Sequence, residues 1–264
     1  VFLFNIVFKK TNLNEKLILA AKQHKLPLEQ VINILVKDFP FFKYLNENQK
    51  IAFAKRVIII IYKKQFFGRS GMEIDLRVKV LLSATVAQLT FGFYTNYWLP
   101  KYENIGVYPE QFFSRFVGSF VKGLTSAKGM LLISWEDFLQ GLSTNTDKLN
   151  VGIHEFAHAL YFSYFKEDYD QHFSRFDEIA FKEFLKMRNG NGQNYLRAYA
   201  ATNPHEFWAV CLEYFFEDPF GFRKHLPQLY HSLCLVMKFD FAKLIEQNRP
   251  DLASDYLIRL SETH

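Results

Sequence analysis

Cysteine is scarce in this chain. Two in 264 residues, Cys211 and Cys234, give neither a disulfide framework nor a CxxC metal knuckle. That usage fits a reducing compartment. Long apolar runs are also missing. "VIIII" at 57–61 is cut off by Tyr62 and two lysines, so it reads as a core helix segment, well short of the ~20 residues a bilayer span needs. Dense basic runs are absent as well. The 32 basic and 27 acidic residues leave a net charge of +5, scattered in small knots such as "YKK" at 62–64. No phosphate-tracking surface follows from that, and direct nucleic-acid binding is not expected. There is no fixed-period repeat and no low-complexity tract, which excludes solenoids and arrays.

What remains is globular. Hydrophobic residues make up 49% and charged residues 22%, enough for a substantial core. Aromatics reach 18%, mostly Phe, and read as core filling rather than a stacking platform. The opening "VFLFNIVFKK" places two lysines after eight mostly apolar residues. It has two readings, a short buried segment or the stub of a membrane anchor at residues 1–8. On the second, the lysines set the body of the chain in the cytoplasm by the positive-inside tendency, and that anchor is the only membrane contact expected.

Helical periodicity dominates. Residues 14–36 read as helix broken at "KLPLEQ", where Pro27 opens a second helix. Residues 46–68 read as one long helix stopped by Gly68, and 75–93 as another. "NIGVYP" (104–109) and "GMLLIS" (129–134) read as strands, and 118–129 as a turn or loop. "SWEDFLQGL" starts a short helix capped by Ser134 with Asp137 three residues on. Beyond residue 147 nearly everything is helical. The expected fold is α+β, mostly helical, with a small central sheet. It divides into a helical N-terminal region (1–66) and a core (67–264), as two lobes without a strong linker.

Within "VGIHEFAHAL" (151–160) stand His154, Glu155 and His158. Residues i and i+4 share a helix face, so both imidazoles can aim at one ion. Glu155, about 100° round from His154, can reach a water bound to that ion. Bound zinc lowers its water's pKa from about 15.7 to about 7, and a carboxylate takes the proton. This is the logic of the metalloprotease helix. Ile153, Phe156, Ala157 and Leu160 add an apolar face. They make the helix central, where unpaired histidines and a glutamate would be costly.

A catalytic zinc needs a third protein ligand and an open position. The HExxHxxGxxH pattern is excluded, because Tyr161 and Tyr164 stand where it needs Gly and His. Glu178, in "FDEIAFKEF", lies about 20 residues on, as a glutamate from the next helix would. Glu206, in "YAATNPHEFWAVCLEYFF", is the later alternative. It also reads as the N3 residue of a capping box, with Asn203 as N-cap and Pro204 at N1. His205 is nearby but would point to another face.

"LNVGIHEFAHAL", "YAATNPHEFWAVCLEYFFEDP", "GMEIDLRVKVLLSA", "NIGVYPEQF" and "MLLISWEDFLQG" together resemble the Mlc titration factor A family of zinc-dependent peptidases, of the gluzincin, M90 type, from about Phe67 to residue 240. The resemblance implies a catalytic core similar to that of anthrax lethal factor and one zinc ion per chain, held by His154, His158 and Glu206. It implies Glu155 as general base and Tyr199, seven residues before Glu206, as a transition-state hydrogen-bond donor. Glu178 then becomes an ordinary helix residue. It also implies a peptide or protein substrate, with a lean toward aminopeptidase action, and a cytoplasmic setting. A regulatory alternative comes with it, since the family's named member sequesters a transcriptional repressor. The chain departs from the family at Tyr161, where an acidic residue is usual, and in the shorter, more charged segment "FKEDYDQHFSRFDE". "GMLLIS" is the strand expected to lie at the sheet edge and pair with a peptide. Glu213, seven residues after Glu206, reads either as a support for a ligand histidine or as a plain salt-bridge residue.

Overall fold

A computed structural model describes residues 26–93, 97–143, 148–165, 171–191 and 195–255. The candidate anchor at 1–8 and the first part of the helix expected from residue 14 lie outside these.

The first helices are set by their caps. Helix α1 (Leu28–Asp38) starts after Pro27 and buries Val31 and Leu35. Helix α2 (Glu47–Lys63) opens on a capping box in which Asn46 and Gln49 exchange side-chain and backbone bonds. Asp75 caps α3 (Leu76–Leu89), which is buried continuously from Val80 to its end at Leu89. A 3-10 turn at Pro40–Tyr44 drops Phe41 between these helices and the C-terminal part of the chain. Its ring lies 5.6 Å from Phe53, 5.5 Å from Phe91, 6.0 Å from Phe216 and 5.4 Å from Phe241. Most of the phenylalanine among the described residues is thus core filling, as expected, and the buried apolar residues form one cluster from Val31 to Ala253.

The expected helix 46–68 stops early. After Lys63 the chain turns extended, and Gln65–Gly68 forms strand β1. Local periodicity cannot register the cause, which is long-range pairing. β1 runs parallel to β2 (Asn104–Tyr108), with Gln65 opposite Asn104. Buried Lys64 donates from Nζ to the carbonyls of Leu99 (2.8 Å) and Tyr102 (2.6 Å), drawing the turn toward β2. Gly68 ends the strand rather than the helix.

The stretch 118–129, expected as turn or loop, contributes two short strands. β3 (Phe112–Ser114) and β4 (Ser119–Val121) form an antiparallel hairpin, and β5 (Gly123–Thr125) joins the main sheet. β6 (Leu131–Ser134) pairs parallel with β2 and antiparallel with β5, giving the order β1-β2-β6-β5. "GMLLIS" therefore contains an interior strand. The edge strands are β1 and β5, and β5 is too short and too rich in small residues to announce itself by alternation.

Helix α4 (Trp135–Ser143) follows, with Ser134 accepting from Asp137 N as expected. Then come α5 (Val151–Leu160), a π-helical turn at Tyr161–Phe165, α6 (Gln171–Arg188), α7 (Pro204–Glu217), α8 (Pro219–His225), α9 (Pro227–Met237) and α10 (Phe241–Asn248). The mostly helical α+β outline is as expected. α5 lies at its centre, packed against α3, α4, α7, β5 and β6. Among the described residues no helix is long and apolar enough to cross a membrane.

Candidate metal centre

α5 carries the HExxH residues and buries the face formed by Ile153, Phe156, Ala157 and Leu160. Its N-cap is Asn150, whose Oδ1 accepts from Ile153 N at 2.9 Å. One helical turn brings the rings of His154 and His158 together, with their Nε2 atoms 3.2 Å apart.

α7 supplies the third group. Asn203 caps it, accepting from His205 N and Glu206 N, and Pro204 sits in the first turn. The cap read from the sequence is present, but the reciprocal half of the capping box is not. The Glu206 carboxylate turns toward α5, placing Oε2 2.9 Å from His154 Nε2 and 3.4 Å from His158 Nε2. Glu178 is exposed on α6, away from this cluster, and the His205 ring packs 4.6 Å from the Tyr161 ring.

The three groups fit a single cation. Three donors at tetrahedral angles, 2.0–2.1 Å from zinc, stand about 3.3 Å apart, and the edges here are 2.9, 3.2 and 3.4 Å. Glu206 Oε2 is buried, and no aligned hydrogen bond satisfies it. Its short distance to His154 is electrostatic contact, which leaves lone pairs converging on one point. Charge preferences agree. Burial disfavours the His154 imidazolium, yet the carboxylates of Glu206 and Glu213 outweigh it and raise the pKa to about 10. Burial likewise disfavours the Glu206 carboxylate, and the two imidazoles outweigh it, holding the group well below the usual range. A centre that draws a proton this strongly is one that accepts a positive charge.

The same face of α7 holds α5 in place. Seven residues after Glu206, Glu213 is buried, with Oε2 3.1 Å from His154 Nδ1. With a cation bound in the cluster, this contact would keep the proton on Nδ1 and leave Nε2 free to face the ion. Arg197 donates to the same oxygen at 2.5 Å, and Asn150 N donates to the other at 2.9 Å. Glu213 thus makes both of the contacts left open by the sequence, one to the His154 ring and one, an ion pair, to Arg197. Four residues further on, Glu217 accepts from Asn150 Nδ2 at 3.0 Å. Trp208 Nε1 donates to Ala157 O at 2.8 Å.

Glu155 faces β5. It is buried, and Thr125 Oγ1 donates to its Oε2 at 2.7 Å. Burial raises its pKa, against the lowering influence of His154, His158 and Thr125. Gly123 leaves the carboxylate its room, since a Cβ there would stand 2.4 Å from Glu155 Cγ. Tyr199 is half exposed, its ring 5.9 Å from that of His154 and under the Arg197 guanidinium. Partial burial and the nearby Glu206 and Glu155 push its pKa up to about 12, so the phenol keeps its proton.

Several of these partners were not read from the sequence. Asn150 carried a signal as a cap-forming residue just before the HExxH run. Glu217 carried one too, at the third turn from Glu206 on the same face. Arg197, Thr125 and Gly123 carried none, because their roles arise only when β5 and the segment before α7 reach α5.

Two imidazoles from one helix turn meeting a carboxylate from a later helix, on a mostly helical frame with a small mixed sheet, is the arrangement of the metallopeptidase class. Family comparison narrows the class. The model of the family described as Glucose-regulated metallo-peptidase M90 matches residues 10–238, and the chain belongs to that family. It is similar to the uncharacterized protein slr2042 of Synechocystis sp., 27% identical over 76% of this chain and 80% of that protein. It is also similar to Mlc titration factor A of Escherichia coli and of Shigella boydii, each 25% identical over 84% of this chain and 89% of the relative.

Proposed function

We propose that this chain is a zinc-dependent peptidase in which His154, His158 and Glu206 hold one zinc ion. Bound there, the metal would supply Lewis acidity and a water of lowered pKa. Glu155, with its carboxylate pKa raised by burial, accepts the proton of the attacking water and returns it to the leaving amine. Tyr199, protonated across the physiological range, donates a hydrogen bond to the carbonyl oxygen as it gains charge. Glu213 holds His154 in the tautomer that exposes Nε2. The open edge of β5, rather than the interior strand β6, is the place for an extended peptide. An aminopeptidase preference is the family-based part of this reading, and a cytoplasmic setting goes with it.

The observation that carries the proposal is the convergence of the His154, His158 and Glu206 atoms at zinc-like spacing. Its test is Glu155→Gln. We expect one zinc per chain by elemental analysis in wild type and variant alike, and a loss of peptidase rate on the order of 10²–10⁴ in the variant. Unreduced activity refutes Glu155 as base, and metal-free wild-type protein after zinc reconstitution refutes the centre.

The relatives' printed name, Mlc titration factor A, favours one second reading, a protein-binding regulator that sequesters a repressor. A pull-down with the Glu155→Gln protein separates the two. Full biological output without catalysis favours binding.

A further inference from the structure

We propose that the β3–β4 hairpin is a specificity element, an aromatic landing face for an apolar side chain of a peptide bound along β5. The inference rests on the peptidase reading of the site. Phe113, Phe116, Val117 and Phe120 are exposed to 56%, 90%, 50% and 68%. Such a concentration of apolar surface on one short ribbon adds nothing to the core and favours self-association. The ribbon is nevertheless well held. Its other face buries Phe112 and Ser114, and Phe112 stacks on Tyr108 at 4.1 Å. The turn closes through Gly118 N to Ser114 O (2.7 Å) and Val117 N to Ser114 Oγ (3.2 Å). At its base Lys122 pairs with Asp137 at 2.7 Å. Phe113 stands directly opposite Phe120, with their rings 5.7 Å apart at 73°. The exposed face is therefore a preformed aromatic surface.

Its position identifies the occupant. The hairpin runs into β5 through Lys122 alone. Ser134 N donates to Lys122 O and Ser126 N to Met130 O, so residues 122, 124 and 126 turn their backbone groups to β6. By alternation Gly123 and Thr125 turn theirs to the open edge, beside the Glu155 carboxylate they border. Phe120 lies three residues before Gly123, within about 10 Å along the chain. A strand paired with β5 that overruns the Gly123 end by roughly three residues reaches the aromatic face. A bilayer suits this ribbon less well. Interfacial anchors carry a strongly basic face, whereas Lys122 is already paired with Asp137 and the turn itself adds only Arg115.

The test compares peptides carrying Phe three residues to either side of the cleaved bond with the same peptides carrying Ser there. For the zinc-loaded wild type we expect a kcat/KM preference of about tenfold for one Phe peptide over its Ser counterpart. In the Phe116→Ser, Phe120→Ser double variant that ratio should collapse toward one. A ratio that survives the substitutions, or a parallel loss on both peptides, overturns the proposal. If the wild type cuts no peptide, the peptidase reading fails by itself. Fluorescence anisotropy of the labelled peptides on the Glu155→Gln protein then decides for the hairpin, and equal affinity for Phe and Ser peptides overturns it. Co-sedimentation with phosphatidylcholine–phosphatidylglycerol vesicles that the double variant loses, with peptide preference intact, would also overturn it and assign the face to a bilayer.

Discussion

The candidate site has two walls built in opposite ways. On one side α5 and α7 are joined through inward side chains: Glu206 beside the imidazoles, Glu213 between His154, Arg197 and Asn150, and Glu217 on the cap. On the other side β5 is a three-residue edge strand with backbone turned outward, continued by a hairpin that shows aromatic rings to solvent. The closed wall fixes geometry and the open wall leaves room for a ligand. A rigid ligand set needs every polar atom accounted for. A peptide-binding edge needs the reverse, backbone groups that remain to be paired.

The comparison can be broken first at the closed wall. Glu206→Ala should weaken zinc binding roughly 100- to 1,000-fold if the ion's binding free energy is shared among its ligands, measured by competition with a chromogenic chelator. Undiminished affinity would remove Glu206 from the centre. The open wall gives the next effect. Gly123→Ala puts a methyl group where Glu155 Cγ and Oε1 lie, 2.4 and 2.5 Å from the added carbon. We expect kcat to fall about 100-fold, as for a misplaced catalytic group, with zinc content constant. A variant as active as wild type would show that Glu155 works from elsewhere. Glu213→Gln keeps the size of the side chain but replaces the charge between Arg197 and His154. Zinc affinity should drop about 10- to 100-fold, and a change in kcat alone would contradict its supporting role. The smallest effect belongs to Thr125→Val, which removes one hydrogen bond to Glu155 from a neutral hydroxyl, worth about 1.5 kcal/mol. A fall in kcat of tenfold or somewhat more, with KM unmoved, is the expected reading.

The two walls also differ in how legible they were. The closed wall is written in helix periodicity. His154 and His158 are four apart, and Glu206, Glu213 and Glu217 repeat at two and three turns along one face. Spacing alone left Glu206 open beside Glu178, and the family resemblance chose between them; Glu213 stood as a support for a ligand histidine or as a plain salt-bridge residue. What spacing could not decide was whether Glu206 completes a capping box or faces the histidines, because both use the same position. The open wall had almost no local signature. β4 and β5 are three residues each, and "VKGLT" reads as a turn until β6 is beside it. The helix expected through Gly68 failed for the same reason. "QFFG" continues a helical pattern, and only its pairing with β2, some forty residues away in sequence, makes it a strand. Gly123 could not be singled out at all, since its value lies in a side chain that arrives from α5.

One feature of α7 bears on how the molecule assembles. Glu206 occupies the first turn, where the positive end of the helix macrodipole welcomes a carboxylate. Glu217 is the final residue, at the negative end, and Glu213 lies in the last two turns. Two of its three inward acids thus oppose the helix that carries them, and their compensation comes from Asn150, Arg197 and His154, all outside it. Excised as a peptide, this segment has little reason to stay wound. Its coiling therefore leans on the seating of the HExxH turn, through the contacts that Asn150, Arg197 and His154 make with its acids.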